Sequence, residues 1–148
     1  MFARAAEIAA RVETVHRPYV AWIGATPVAY GWSAAGRTRF GLPPVSFSVP
    51  PGDRYLMDFA ALPAWRGRGI YPGLLQAILE AEATDAARFW VLHHRGNVAS
   101  ARGIEKAGFK LAAEIWFLDE GGLGLVDAGS EERAREGGGL LGLPVVEK

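Results

Sequence analysis

The sequence predicts an α+β chain built on a mixed β-sheet, mostly antiparallel with one parallel strand pair, and flanked by helices. Three observations predict it. From about Tyr55 to Phe109 the patterning runs strand, helix, strand, helix, and a right-handed crossover places those two strands side by side and parallel. Both strand segments, Tyr55–Leu62 and Arg88–His94, are apolar over most of both faces, as strands covered on two sides are. Earlier, Tyr19–Ile23 and Val28–Ser33 flank Gly24-Ala25-Thr26-Pro27, a hairpin pattern that supplies antiparallel pairing.

The elements follow in order. Ala3 to Val15 has helical spacing, with Ile8, Val12 and Val15 on one side and Glu7/Arg11 as an i,i+4 pair, and Pro18 ends it. After the hairpin, Gly36–Pro44 reads as a loop and Val45–Val49 as a strand closed by Pro50-Pro51-Gly52-Asp53. Pro72–Ala83 is a helix with Leu74, Leu75, Ile78 and Leu79 as its buried stripe and Pro72 at its first position. Asn97 caps a second helix that runs to Ala107, and Gly108 stops it. Lys110–Leu118 and Leu123–Asp127 form a last strand pair around Asp119–Gly122. Residues 1–128 are read as one domain, and 129–148 as a glycine-rich tail with a short charged piece of helical character and a Gly-Gly-Gly break.

Composition narrows the function classes. The 148 residues suffice for one domain with a core, half of them are hydrophobic, and no run has transmembrane length. The start, with an acid at Glu7 and no long apolar region, does not read as a signal peptide. Absence of cysteine removes disulfides, thiolate catalysis and cysteine-ligated zinc, and fits an expected cytoplasmic location. A formal net charge of zero gives no reason to expect nucleic acid or membrane partners. The adjacent His93 and His94, on opposite faces of a strand, cannot both point at one ion, so no metal site is expected.

The most informative stretch joins the first buried strand to its helix through Arg66-Gly67-Arg68-Gly69. A helix N-terminus presents unpaired N–H groups and a positive dipole end, and glycine lets a ligand approach the backbone, so this turn suits phosphate. Ligands in such sheets bind beyond the carboxyl ends of the strands, where Leu62–Gly69 and His93–Asn97 fall. The turn has no Lys-Ser/Thr pair, which sets aside a nucleoside-triphosphate loop.

Arg66-Gly67-Arg68-Gly69-Ile70-Tyr71 resembles the pyrophosphate signature Arg/Gln-x-x-Gly-x-Gly/Ala of the GNAT superfamily of acyl-CoA-dependent N-acetyltransferases, matching it at Arg66 and Gly69. The block Asn97-Val98-Ala99-Ser100, followed by Glu105-Lys106-Ala107-Gly108-Phe109, is similar to that family too, and the likeness spans roughly Tyr55–Leu118. The resemblance implies a central twisted sheet whose parallel pair splays to admit acyl-CoA. It implies that Phe59, Ala60 and Ala61 pair their backbone with the pantetheine arm. Amides of Arg66, Gly67, Arg68, Gly69, Ile70 and Tyr71, with Gly73 close by, would hold the pyrophosphate. Asn97 and Ser100 would lie near the pantetheine or the thioester, and Arg102 near an outer phosphate. The implied activity is transfer of an acetyl group from acetyl-CoA, as co-substrate, to a primary amine of a small molecule or peptide by direct attack. The alternative is a non-catalytic acyl-CoA-binding or protein-interaction module on the same fold.

The sequence departs from the family pattern in places. Tyr71 stands where Gly or Ala is expected; Pro72 brings no N–H and biases Tyr71 away from helical geometry. Ile104 occupies the position where many relatives carry a tyrosine as general acid. The chain opens in a helix, so the family's N-terminal strand is expected to be missing, and a shortened edge invites pairing as a homodimer.

Each candidate has a plainer reading beside the functional one. Asp58, a carboxylate in an apolar strand, is the first candidate for the base, or is an Asp paired with an arginine or reaching solvent at a bulge. His93 or His94 could relay protons, or be packed or solvent-facing at a strand end. Asn97 caps a helix whether or not it also touches ligand, and Ser100 reads either way. Arg66 and Arg68 reinforce the positive field of the turn, or are solvated there. Trp22, Tyr30, Trp32, Phe40 and Phe47 read as hairpin core, with one or two lining an acceptor pocket. From His16 to Arg54 there is a single acid, Asp53, against Arg17, Arg37, Arg39 and Arg54, which points to a neutral or anionic acceptor rather than a polycation.

Overall fold

The computed structural model describes residues 16–41 and 43–147. The helix expected at Ala3–Val15, and with it the expectation about an N-terminal strand, lies outside the described residues. The chain divides into two units, one of residues up to Gly36 with Val49–Phe109, the other of Arg37–Ser48 with 110–148. Among the described residues no helix is long and apolar enough to cross a membrane.

The first unit holds a four-stranded sheet in the order β1-β2-β5-β6. Strands β1 (Arg17–Ile23) and β2 (Thr26–Ala34) form the expected antiparallel hairpin, turning at Gly24 with its positive φ. Strand β5 (Asp53–Ala61) lies antiparallel to β2 and parallel to β6 (Arg88–Val91), so the expected mixed sheet with one parallel pair is present. Helix α1 (Ile70–Glu82) is the crossover between them, and α2 (Val98–Lys106) follows β6.

The core of this unit gathers Ala29 and Leu56 from the sheet, Leu74, Leu75 and Ile78 from α1, and Ile104 and Ala107 from α2. These apolar positions recur at helical spacing, so one stripe of each helix faces the sheet. The stripe of α1 continues not at Leu79, which is half-buried, but at Glu82, which is fully buried. Helix α1 also starts earlier than expected. Gly69 is its N-cap in the left-handed region at φ 76°, Pro72 is its third residue rather than its first, and Tyr71 is helical. Pro72 still lies in the first turn, where its missing N–H breaks no intrahelical bond.

Strand β6 stops at Val91, short of the expected His94. His93 and His94 therefore sit in an exposed loop rather than on opposite faces of a strand. Among the aromatics, Trp32 is buried in this unit as expected, whereas Trp22 is 58% exposed and is no part of the hairpin core.

In the second unit β3 (Gly36–Phe40) pairs with β4 (Val45–Val49). The expected loop at Gly36–Pro44 is thus half strand. Thr38 and Phe40 turn inward while Arg37 and Arg39 face out, a period of two masked in sequence by the bracketing Gly36 and Gly41. Phe40 meets Phe47 edge to face with ring centroids 6.1 Å apart. Strands β7 (Ala113–Phe117) and β8 (Leu123–Asp127) form the expected hairpin, and β9 (Val145–Val146) adds to β8 in parallel.

The Gly-Gly-Gly run does not break the chain but lies inside helix α3 (Glu131–Leu141). Ser130 caps α3 by accepting from the Arg133 N–H at 3.3 Å, and Gly142 closes it at φ 67°. A Cβ at Gly138 would stand 2.9 Å from the Leu143 carbonyl oxygen, so glycine lets the helix lie close to the returning strand.

Candidate acyl-CoA site at the open end of the sheet

The site begins with an irregularity in β5. Tyr30 of β2 pairs with Ala60 and Trp32 pairs with Met57, so Asp58 and Phe59 together oppose the single residue Gly31. This is a β-bulge, and it bends the strand. Asp58 takes φ 52°, the one positive φ at a non-glycine among the described residues. Aspartate tolerates that region better than most residues. Gly31 is required opposite, because a Cβ there would collide with the Phe59 ring.

The ladder to β6 ends just before the bulge. Parallel pairing of β5 with β6 runs from Asp53/Arg88 to Leu56/Val91 and ends there. Residues Met57–Ala61 continue along β2 with no ladder partner on the β6 side. Backbone N–H and C=O groups left out of a ladder seek another partner. Phe59, Ala60 and Ala61, expected to meet a pantetheine arm, all lie on this stretch and are half-buried.

The turn follows at once. Leu62 donates to the Val28 carbonyl at 2.8 Å, a 3-10 turn spans Pro63–Trp65, and the chain then passes Gly67 at φ 74° and Gly69 at φ 76°. Both glycines face open space, with no atom within 4 Å of where a Cβ would stand. No side chain caps α1, and the first helical bond runs from Gly73 N to Gly69 O at 3.2 Å. The N–H groups of Ile70 and Tyr71 precede that bond and have no intrahelical acceptor. Together with the helix dipole they form a cradle for an anion.

The two arginines of the turn are held by the chain itself. Arg66 donates through Nε to the Ala61 carbonyl at 3.2 Å, and the Arg68 guanidinium lies 4.9 Å over the Trp65 ring. Both remain exposed, so their charge adds to the field of the turn while their own contacts shape it. Arg102 is exposed on α2.

On the other side of the opening, Asn97 caps α2 by accepting from the Ser100 N–H at 3.0 Å. Ser100 sits in the first turn of that helix, and its hydroxyl lies 3.3 Å from the Tyr71 hydroxyl. The Tyr71 ring packs edge to face on Phe59 at 5.3 Å and fills a hollow at Gly103, where a Cβ would lie 2.5 Å from Tyr Cδ2. Burial pushes the Tyr71 hydroxyl up from its ordinary value, partly offset by the Ser100 bond. Ile104 is 8% exposed within the apolar core.

The expected site residues therefore divide. Phe59–Ala61, Gly67–Tyr71, Asn97 and Ser100 converge on the carboxyl ends of β5 and β6. Asp58 sits at the bulge but is exposed, so an argument from burial of its carboxylate does not apply to it. His93 is exposed in the loop before α2, its Nδ1 lying 3.0 Å from the His94 carbonyl oxygen. Among the described residues no group of three or more His, Cys, Asp or Glu side chains is placed to hold a metal ion.

Sequence reasoning missed the carboxylate that the fold uses most. Glu82, at the far end of α1, accepts from Tyr19 Oη at 2.9 Å and Arg54 Nε at 3.1 Å, with Arg17 Nη1 at 3.7 Å. Burial and the Glu82 bond push the Tyr19 hydroxyl up to about 12. Asp53 nearby accepts from Arg88 Nε and Trp90 Nε1, each at 2.9 Å.

No protein-family model matches the sequence, and no curated protein matches it. Solved structures do. The aminoglycoside acetyltransferase AAC(6')-Iy, in complex with the bisubstrate analogue CoA-S-monomethyl-acetylneamine, matches at a TM-score of 0.58 and 16% identity over 76% of this chain and 77% of its own. AAC(6')-Ib with coenzyme A and kanamycin matches at 0.57 and 21% over 86% and 75%. A protein of Agrobacterium tumefaciens str. C58, assigned as an acetyltransferase, matches at 0.55 and 22% over 76% and 74%. At these identities the likeness is one of architecture, and it agrees with the bulged strand, the short parallel pair and the glycine turn: this chain has the GNAT acetyltransferase fold.

Proposed function

We propose that this protein is an N-acetyltransferase that moves an acetyl group from acetyl-CoA to a primary amine of a small molecule or peptide by direct attack. One observation carries the reading. The β5–β6 ladder ends at Leu56/Val91 beside a glycine turn whose helix N-terminus no side chain caps. The residues present fit coenzyme A. The Phe59–Ala61 stretch has no ladder partner on the β6 side, which suits pairing with an amide-bearing arm, and amides of Gly67–Tyr71 suit its pyrophosphate. Acetyl-CoA supplies the activated thioester. The chain orients it: the exposed Asp58 carboxylate at the bulge takes up the amine proton, the exposed His93 imidazole can relay it, and Asn97 helps to position the thioester.

The neighbours' bound molecules, coenzyme A among them, support the cofactor reading. Those neighbours also carry aminoglycosides, which are polycationic amines. The segment from His16 to Arg54 offers a single acid, Asp53, and its carboxylate is already engaged by Arg88 and Trp90. This supports a neutral or anionic acceptor amine. The exposed edge strand β1, with Val20, Trp22 and Ile23 facing out, supports pairing as a homodimer. A cytoplasmic location remains our reading of the cysteine-free sequence.

A non-catalytic acyl-CoA-binding module is the second reading, favoured by one observation: Ile104, buried among apolar side chains, carries no proton. Calorimetry with acetyl-CoA, followed by thiol release over a panel of amines, tests both. Binding with turnover of a neutral or anionic amine supports the enzyme, and binding without turnover of any amine supports the module. Absence of acyl-CoA binding overturns both, and turnover of polycations alone overturns the acceptor class.

A further inference from the structure

We propose that the acceptor is a monoamine carried on an apolar, ring-bearing body, and that the face of the first unit's sheet turned away from α1 and α2 holds that body. The inference rests on the acetyltransferase reading and deepens it by naming the acceptor class.

The core tells the two faces of the sheet apart. Tyr19 and Ala21 of β1, Ala29 of β2, and Leu56, Phe59 and Ala61 of β5 either belong to the core with α1 and α2 or pack against it. Side chains alternate along a strand, so Val20, Trp22, Tyr30, Met57 and Ala60 lie on the other face. The register shift beside Trp22 puts its extra residue in β2, so the alternation along β1 holds. Cross-strand pairing lines these residues up: Val20 stands opposite Tyr30, and Tyr30 opposite Ala60. The row runs from the sheet edge to the stretch of β5 that has no ladder partner on the β6 side, next to the Asp58 bulge.

This row is apolar and becomes more exposed toward the edge. Trp22 is 58% and Val20 47% exposed, while Tyr30, Met57 and Ala60 are half-buried. None of these side chains is charged. Large apolar groups left in water beside a reaction site suit an apolar ligand, and the indole and phenol rings favour a ring against them. At the inner end stands Asp58, which is exposed. Burial, and with it the Asp58 charge, pushes up the Tyr55 hydroxyl. Tyr55 precedes Leu56 and so lies on this same face, within Coulomb reach of the carboxylate.

One carboxylate at one end of an apolar row matches one amine at one end of an apolar body. A polycation would lay further ammonium groups over Val20 and Trp22, where nothing offsets their desolvation. Pairing of β1 edges between copies would use backbone groups, so this face is a separate surface.

The test uses the full chain and thiol release from acetyl-CoA. Phenethylamine should be used with kcat/KM about tenfold or more above that for ethylamine or kanamycin, the range a hydrophobic pocket gives for small apolar differences. Trp22→Ala changes an exposed residue, and thermal melting shows that it folds. It should lower kcat/KM for phenethylamine about 2- to 10-fold, chiefly through KM, with KM for acetyl-CoA unchanged. Trp22→Phe should restore most of the loss. Val20→Glu sets a second carboxylate in the row and should shift preference from phenethylamine toward the diamine putrescine. A second measurement needs no turnover. With coenzyme A bound, which has no acetyl group to give, phenethylamine binding in calorimetry should weaken in Trp22→Ala by the same factor. Preference of the parent for ethylamine or kanamycin, unchanged phenethylamine affinity in Trp22→Ala, or an equal loss for every amine overturns the acceptor class while the acetyltransferase reading stands. Failure of the parent to bind any acyl-CoA, or to turn over any amine, overturns both.

Discussion

The two ends of the first unit's sheet are built on opposite plans. At the amino ends of β5 and β6, Glu82 and Asp53 are buried carboxylates wrapped by donors: Tyr19, Arg54 and Arg17 for one, Arg88 and Trp90 for the other. At the carboxyl ends the ladder stops, glycines take positive φ, and the helix starts without a cap. The closed end pairs its two buried carboxylates internally. The open end leaves Met57–Ala61 outside any ladder on the β6 side and the helix start without a side-chain cap. Clamping one end of a parallel pair holds its register although the ladder is only four residue pairs long.

Substitutions can break this division, and the largest effect is expected at the closed end. Glu82→Ala leaves Arg54 without its buried carboxylate and should cost about 3–5 kcal/mol, the range for removing one partner of a buried pair. Denaturant unfolding measures it. Acyl-CoA affinity of the molecules that remain folded should not change, and a large loss of affinity there would show that the two ends are not separable.

Gly31→Ala comes next. The added methyl collides with Phe59, and overpacking of this kind costs about 1–3 kcal/mol. Since Phe59 supports both the unpaired strand and Tyr71, acyl-CoA binding should weaken along with stability. Gly69→Ala sharpens the contrast: a non-glycine residue in the left-handed region costs about 1–2 kcal/mol, and the loss should fall chiefly on acyl-CoA affinity because this glycine faces open space. Asn97→Ala removes a cap worth about 1 kcal/mol, visible in the melting temperature.

The smallest effect is confined to alkaline pH. The folded state holds the Tyr19 proton up to about 12, whereas an unfolded chain releases it near 10. Its contribution to stability is complete below 10 and is lost as pH rises from 10 through about 12. Tyr55, pushed up mainly by burial, acts in the same direction. Melting temperatures in that window should fall less steeply for Tyr19→Phe than for the parent.

Local features were legible in the sequence. The Asn97 cap, the Gly108 stop, the hairpin at Gly24 and the Leu74/Leu75/Ile78 stripe each depend on residues a few positions apart, and each stands as read. The glycine turn was legible for the same reason. Glu82 was not: it looks like a solvated helix residue, and its partners Tyr19 and Arg54 are 63 and 28 residues away. The strand at Gly36–Phe40 was hidden by its bracketing glycines, and the early end of β6 at Val91 by apolar continuity into Leu92. Gly137–Gly139 read as a break because propensity disfavours glycine in helices, and a close-packed neighbour outweighed that.

Sequence alone determined the strand–helix–strand–helix order of Tyr55–Phe109, the turn chemistry and the Leu74/Leu75/Ile78 stripe, because these follow from backbone sterics and periodicity within one or two helical turns. Tertiary structure decided that Asp58 faces out at a bulge, that His93 leaves the strand, that Glu82 anchors the closed end, and that Tyr71 meets Ser100. Those outcomes depend on which surfaces meet across the sheet. A carboxylate or a phenol takes its character from partners and burial that only the folded chain brings to it.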